Sequence, residues 1–520
     1  MKKLLLTVIA SLAFSGAILA QHTTFWPEFN SNHYQFPAAF VAFIQVDGTF
    51  IEGSDSYADL EVAAFTGDQC RGHQFMDYYA EEGDPHPIVE LSLFYNTGES
   101  VPVTFRLYDN NTGIEYTTCV SNVEILTGTN HTELYFNYDN AVILNFETPP
   151  THNKTITGYG TNEGGYYLIA SPVRKMDPVF VTNMLSNNYD LYWFNQSSDG
   201  MGNQWMNYKV EPFNLVRGKG YLYANNQDVT LAFTGTPYSG DGVVPLDYDA
   251  AAPSGMAGIN LVGNPFAETA YIDGRAFYVL NTEGSDIVPS EVNFVGAMEG
   301  LFVVAEAEGE NVTFSTTPPT TKDNLLSINL SKGNGVLDRA IVNFNEDRQL
   351  PKFQINEENT KVYFEQDNKE FAVISSEDQG EMPFCFKAKE NGTYTIGFNT
   401  ENVEFGYLHL IDNRTGNDVD LLEMPTYTFD ANTTDYANRF RLVFANGFNQ
   451  TESFGFLSDG NIILNGINDN TTVQVIDALG RNLVSDKGVN SISTDNLTPG
   501  VYVLRLVNGD NAKTQKIVVR

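Results

Sequence analysis

Short apolar segments, cut by glycine, asparagine and aspartate, recur along almost the whole chain with a period of two, not 3.6. The stretch VYVLRLV at 501–507 is the clearest: Tyr502, Leu504 and Leu506 alternate with Val501, Val503, Arg505 and Val507, straight after the turn pair Pro499-Gly500. Successive side chains of such a strand point to opposite faces, so one face seeks cover. A chain built from these pieces must stack sheet on sheet. The expected fold class is all-β: tandem β-sandwich-like domains ending in a small β-sandwich. One segment departs from the pattern. Asp177-Pro178, followed by Phe180, Met184 and Leu185, predicts a helix start, with aspartate as cap and proline in the first turn.

A chain of 520 residues is too long for one core. Pro149-Pro150 and Pro318-Pro319, each flanked by threonine, read as linkers, and the Asn/Gly-rich stretch 446–452 as a third boundary. The expected division is 21–148, 151–320, 322–447 and 453–520. Strands are predicted at 39–46, 60–64, 88–94, 101–107 and 142–146 in the first unit. The third unit carries roughly seven, the count of a sandwich. LYDNNTGIEY at 107–116 and LIDNRTGNDVDL at 410–421 predict two hairpins of one design. Neither has the alternating acidic ligands of a calcium loop.

The second unit echoes itself. LIASPV at 168–173 returns as LVGNPF at 261–266, LYWFN at 191–195 as FYVLN at 277–281, and GKGYLYAN at 218–225 as MEGLFVVA at 298–305. Val229-Thr230 returns as Val312-Thr313. Four echoes in one order predict two like halves, 164–236 and 258–317.

The first 20 residues predict a secretory signal peptide: Lys2 and Lys3, an apolar run, then Ser15, Gly16, Ala17 and Ala20. The run is too short for a transmembrane segment, and no later stretch is long and apolar enough for one. Cysteine usage is sparse, with three in the chain and no CxxC. Cys70 and Cys119 fall in one unit and an export route is oxidising, so a disulfide between them is expected. Cys385, between Phe384 and Phe386, is expected to be a buried apolar side chain.

The C-terminal unit is the most specific part of the sequence. Val475, Asp477, Gly480 and Arg481 frame one turn; Leu497, Pro499, Gly500, Val501 and Tyr502 open a strand; Lys516, Ile517, Val518 and Val519 close the chain. This spacing resembles the type A C-terminal sorting domain of the type IX secretion system. The resemblance covers 453–520 and implies a sorting signal at Asp477, Gly480, Arg481, Pro499, Gly500, Tyr502 and Lys516. It implies handling by the type IX secretion machinery, export across both membranes, and an extracellular or cell-surface destination. VAAFTGDQCRGH, at 62–73, resembles a unit found in other cargo of that system, with no activity attached.

Acidic residues number 65 against 29 basic ones, a net charge of −36, which disfavours a nucleic-acid partner. No HExxH, GxSxG, P-loop or GxGxxG motif is present. His73 and His86 sit near Asp77, Glu81, Glu82 and Asp84, but an acidic loop is the plainer reading, so no metal and no cofactor are expected. Trp193, Trp205, Asn207 and Tyr221 combine aromatic faces with an amide, as a sugar site does, although LYWFN also suits a strand covered on both faces. The function expected is a non-catalytic, adhesin-like exported protein binding glycan or protein. The alternatives are a secreted hydrolase with catalytic residues on loops, or a structural component of the cell surface.

Overall fold

The computed structural model describes residues 24–519, except 27–28, 53–56, 78–85, 130–140, 162–164, 200–203, 273, 282–283, 285, 321, 334, 345–347, 356–357, 377–378, 447–453, 478 and 510. The predicted leader, the acidic positions Glu81, Glu82 and Asp84, and most of the predicted 446–452 boundary lie outside the described residues. Among those described, the chain is all β, interrupted only by short 3-10 turns. One of them, Pro178–Phe180, stands where the helix was predicted: Asp177 Oδ1 accepts from Val179 N at 3.0 Å, but Val181 is already extended. Asn183 then takes a positive φ of 64°. The cap is present without a helix, because Val181 and Met184 are drawn into a β core.

At the N-terminal end two sheets enclose one core. Phe36–Val46 pairs with Ile88–Tyr95 and with Ile143–Phe146, while Leu60–Thr66 lies between Gln69–Phe75 and Thr104–Asp109. Phe40, Ile44, Val62, Leu91, Phe105 and Leu144 meet between them. On the outer face of the second sheet, Phe25 stacks on Tyr108 at 3.7 Å and Trp26 is fully buried beside Phe65. The hairpin Thr104–Asp109 to Ile114–Tyr116 turns through Gly113 at φ 69°, with Asp109 Oδ1 accepting from Asn111 N. The hairpin Phe405–Asp412 to Asn417–Asp420 repeats this, with Gly416 at φ 75° and Asp412 Oδ1 accepting from Arg414 N.

From Thr151 to Ser315 the strands form two sets. The first is β1 (Thr151–Ile156), β2 (Tyr167–Ala170), β3 (Lys175–Met176), β4 (Tyr189–Phe194), β5 (Trp205–Asn207), β6 (Leu215–Val216), β7 (Gly220–Asn225) and β8 (Val229–Thr234). The second is β9 (Val243–Pro245), β10 (Ile259–Gly263), β11 (Ala270–Ile272), β12 (Tyr278–Leu280), β13 (Ile287–Pro289), β14 (Phe294–Val295), β15 (Gly300–Val304) and β16 (Asn311–Ser315). The first set makes the sheet β2-β7-β4-β5 and pairs β1 with β8 and β3 with β6. The second makes β10-β15-β12-β13, and its flanking strands join in one sheet, β9-β16-β11-β14, where the first set has two separate pairs. Leu168 faces Leu222 as Leu261 faces Phe302, and Tyr192 faces Leu222 as Tyr278 faces Phe302.

The two sets touch backbone to backbone. Ala170 N donates to Met298 O at 3.0 Å, and Gly263 N to Gly218 O at 2.9 Å. Bridges join Ile169 with Glu299 and Lys219 with Val262. These are one contact made twice, as across a two-fold axis. A Cβ on Gly263 would lie 2.5 Å from Lys219 O, so only glycine permits the approach. Gly263→Ala is expected to cost about 1–3 kcal/mol of stability through the forced backbone shift. Gly380→Ala, whose Cβ would meet nothing within 4 Å, is the control that should leave the melting curve in place.

Residues 325–446 form one eleven-stranded sheet folded over a single core, in which Leu326 and Ile328 from one arm meet Phe440 and Leu442 from the other. A separate cluster spans the junction: Leu168, Leu261, Tyr278 and Phe302 pack with Leu325, Ile341, Phe353 and Val373. The last 60-odd residues make a small sandwich, with Asn461–Leu464 in one sheet and Thr472–Asp477, Gly500–Asn508 and Asn511–Val519 in the other. Val473, Val475, Leu504 and Ile462 fill its core.

Candidate functional site

The predicted aromatic site does not assemble. Trp193 pairs with Met206 and Phe194 with Trp205 across the β4–β5 hairpin, so the two tryptophans point to opposite faces. Trp193 packs on the core that contains Tyr221, whereas Trp205 packs edge-on against Phe302 at 6.1 Å in the junction cluster. Tyr221 is 2% exposed, and its hydroxyl accepts from Val216 N at 2.7 Å and donates to Asn214 O at 3.2 Å. Burial pushes its phenol pKa up. Asn207 shares the Trp205 face and accepts from Lys209 N at 2.8 Å. The strand is covered on both faces, so these aromatics serve two cores.

The expected disulfide is likewise not formed: Cys70 and Cys119 are not bonded to each other. Cys70, on Gln69–Phe75, packs toward Phe25 and Trp26 outside the second sheet, whereas Cys119, on Cys119–Ser121, belongs to the first sheet and packs on the core between the sheets. The intervening sheet separates their surroundings. Burial pushes the Cys119 thiol up to about 12 and the Cys385 thiol up to about 11. Mass spectrometry after iodoacetamide treatment at pH 8 is therefore expected to find both more than tenfold slower to alkylate in the native protein than in urea. Three thiols should count in urea without any reductant.

His73 and His86 do not converge. His73 Nδ1 lies 2.7 Å from Glu61 Oε1, while His86 Nδ1 lies 3.2 Å from Ile51 O. Among the described residues no group of three or more His, Cys, Asp or Glu is placed to hold a metal.

A different site emerges where the N-terminal sheets meet the first set of the duplicate-like pair. A cleft of about 700 Å³ opens there, within the usual range of small-molecule sites. Arg106 comes from the strand Thr104–Asp109, Arg174 and Lys175 from the turn into β3, and Arg217 from the turn between β6 and β7. Glu115 is the buried anchor: Arg174 Nε donates to its Oε2 at 3.0 Å, and Arg106 Nη1 lies 3.7 Å from its Oε1. That Oε1 and Arg174 Nη2 are buried without a hydrogen-bond partner. The Arg217 guanidinium carbon sits over the Tyr238 ring, 4.1 Å from its centroid. Burial first, then the Arg174 and Arg106 charges, lower the Arg217 pKa, which stays far above neutrality. The Val243 N–H first, then Tyr238 OH, which donates to Asp241 Oδ1 at 2.9 Å, hold that carboxylate below its ordinary range. Thr117 donates to Thr236 at 2.6 Å across the junction.

Sequence reading missed these cations because they come from separate segments. The only local signal was the adjacent pair Arg174-Lys175, in a chain where acids outnumber bases 65 to 29.

The C-terminal motif has a plain geometry. Asp477 Oδ1 accepts from Leu479 N and Arg481 N, both at 2.9 Å, and its Oδ2 accepts from Arg481 Nε at 2.6 Å. Gly480 takes φ 78° to close the turn. Tyr502 OH donates to Thr498 O at 2.6 Å, pinning the Pro499-Gly500 turn. Lys516 faces outward opposite Val503.

The fold and this tail define an exported all-β protein of modular build. Residues 458–520 match the family described as the secretion system C-terminal sorting domain. Such a tail directs export across the outer membrane to the cell surface or the extracellular space. No helix among the described residues is long and apolar enough to cross a membrane. The curated proteins contain no match to the chain. Among solved structures, the N-terminal eight Ig domains of Down syndrome cell adhesion molecule give 9% identity over 93% of this chain and 86% of that one, with a TM-score of 0.10, which carries no argument.

Proposed function

We propose that the chain is a non-catalytic binding protein, exported to the surface or medium, that takes glycan or protein in the cleft between its N-terminal sheets and the β1–β8 set. The division into 21–148, 151–320, 322–447 and 453–520, with like halves inside the second unit, belongs to the same reading. The supporting observation is the convergence of Arg106, Arg174, Lys175 and Arg217 on one cleft in a chain of net charge −36. Glu115 and Asp241, the carboxylates anchored there, are engaged by arginines, by Tyr238 and by a backbone N–H. The Val243 N–H and Tyr238 favour the charged form of Asp241, which suits anchoring better than proton donation.

A glycan and protein array probed with the full chain tests the reading. Thr104 is exposed at the cleft wall, so Thr104→Trp should fold and obstruct the mouth. Array signals that fall at least tenfold with this variant support the cleft. Signals that persist unchanged place the ligand elsewhere. Turnover of a bound glycan or peptide, abolished by a single carboxylate substitution, would overturn the non-catalytic part.

A further inference from the structure

We infer that the cleft is a subsite for an acidic saccharide, one whose carboxylate or sulfate oxygens lie against Arg217 and Lys175. This rests on the reading of the cleft as the ligand site and adds the ligand's chemistry.

Lys175 and Arg217 carry the inference. Among the described residues no carboxylate forms an ion pair with either. Lys175 Nζ lies 5.4 Å from the Phe25 ring centroid, and Arg217 rests on Tyr238. A guanidinium fixed on a ring keeps its edge donors free in a fork that matches an oxyanion. Arg174 contributes a buried Nη2 with no hydrogen-bond partner. Desolvated donors of this kind gain most when an anion arrives.

The rest of the wall favours sugar over peptide. Thr104, Thr234, Thr236 and Ser239 offer hydroxyls. Few apolar side chains are exposed there to receive peptide anchors, and hydroxyl walls complement hydroxyl-rich ligands.

The second strand set supplies an internal comparison. The segment after Val173 reads Arg174-Lys175, while the segment after its echo Phe266 reads Ala267-Glu268. Arg217, just before the echo GKGYLYAN, corresponds to Ala297. The same strand order thus appears once with three cations at this end and once with none. The strands alone do not require the charges, so they are features of the cleft.

The experiment measures binding of the full chain by calorimetry to four probes. These are an oligogalacturonate, a chondroitin sulfate tetrasaccharide, a neutral galactan oligosaccharide and an oligoglutamate peptide. The result expected is binding of one or both acidic saccharides, weakened at least tenfold by Arg217→Gln and partly retained by Arg217→Lys. Affinity should fall as salt rises. Carboxylate and sulfate sources separate by which acidic probe binds. Circular dichroism melts of the variants establish that they fold. Arg217-dependent binding of only the neutral sugar or the peptide overturns the acidic-saccharide inference and leaves the cleft as the site. Binding of an acidic saccharide that both Arg217→Gln and Thr104→Trp leave unchanged overturns the cleft itself. Absence of binding to all four probes overturns the inference.

Discussion

Replacing Arg439 by alanine is expected to destabilise the 325–446 sheet by about 3–5 kcal/mol, the usual result of stranding one member of a buried ion pair. Arg439 is 2% exposed and grips Asp412 with two bonds, Nε to Oδ1 at 3.0 Å and Nη2 to Oδ2 at 2.8 Å. Its Nη1 donates to Asp430 O at 2.8 Å, and its plane lies over Phe429. Alanine leaves Asp412 charged and buried, with only Tyr427 OH and Arg414 N as donors. Burial pushes the Asp412 pKa up, but the bonds from Arg439, Tyr427 and Arg414 N together bring it below the ordinary carboxylate value. A depressed folded pKa means this stabilisation is complete above the unfolded-state value and is lost as pH falls through the folded one. The wild-type sheet should therefore weaken in acid, and Arg439→Ala should flatten that dependence. The three tryptophans, at 26, 193 and 205, all lie outside this sheet, so fluorescence is the wrong probe. Hydrogen exchange across 325–446 is the measurement. Unchanged protection there would show the pair to be dispensable.

Deleting 458–520 should abolish delivery to the cell surface and medium and trap the chain in the periplasm, an effect of more than tenfold in fractionated cells. A subtler variant tests the geometry. Asp477→Ala removes the acceptor for two backbone N–H groups and for Arg481. The Arg481 N–H first, then the Arg481 side chain and the Leu479 N–H, hold the Asp477 pKa low, so the turn depends on its charge. Reduced export of this variant, with the upstream sheets still folded, would tie sorting to the turn. Normal surface delivery of the deletion would contradict the assigned role.

Period-two alternation made many strands legible, and the turn chemistry made both Asp-Asn hairpins legible. Gln69–Phe75 was missed because QCRGHQF offers no apolar alternation; its place is fixed by pairing with Leu60–Thr66. The echoed segments fall on β2, β4, β7 and β8 and on β10, β12, β15 and β16, since a pattern that specifies register also survives as sequence likeness. Sites fared worse for a physical reason. Whether Tyr221 faces water depends on which sheet covers it, and that is information about distant residues. The cleft cations converge only after two separate groups of sheets dock, so no local window could contain them. Cys70 and Cys119 are expected partners because they share one unit on an oxidising route, yet a sheet stands between their environments.

The cluster of Leu168, Leu261, Tyr278, Phe302, Leu325, Ile341 and Phe353 has a mechanical consequence. Tyr278 OH accepts from Phe353 N at 2.9 Å, and Arg339 bonds to Glu291 at 2.9 Å across the same junction. A tether held at its C-terminal end and loaded at the cleft would transmit tension through this junction. Parting it would expose a whole apolar face at once, so it resists as a block and does not peel. The contact beyond it is slighter: Tyr407, Val443 and Ile463, with Arg441 shared between Glu381 and Asp459. Under a pull along the chain, the contact to the sorting tail is expected to part first, with the larger junction upstream still closed.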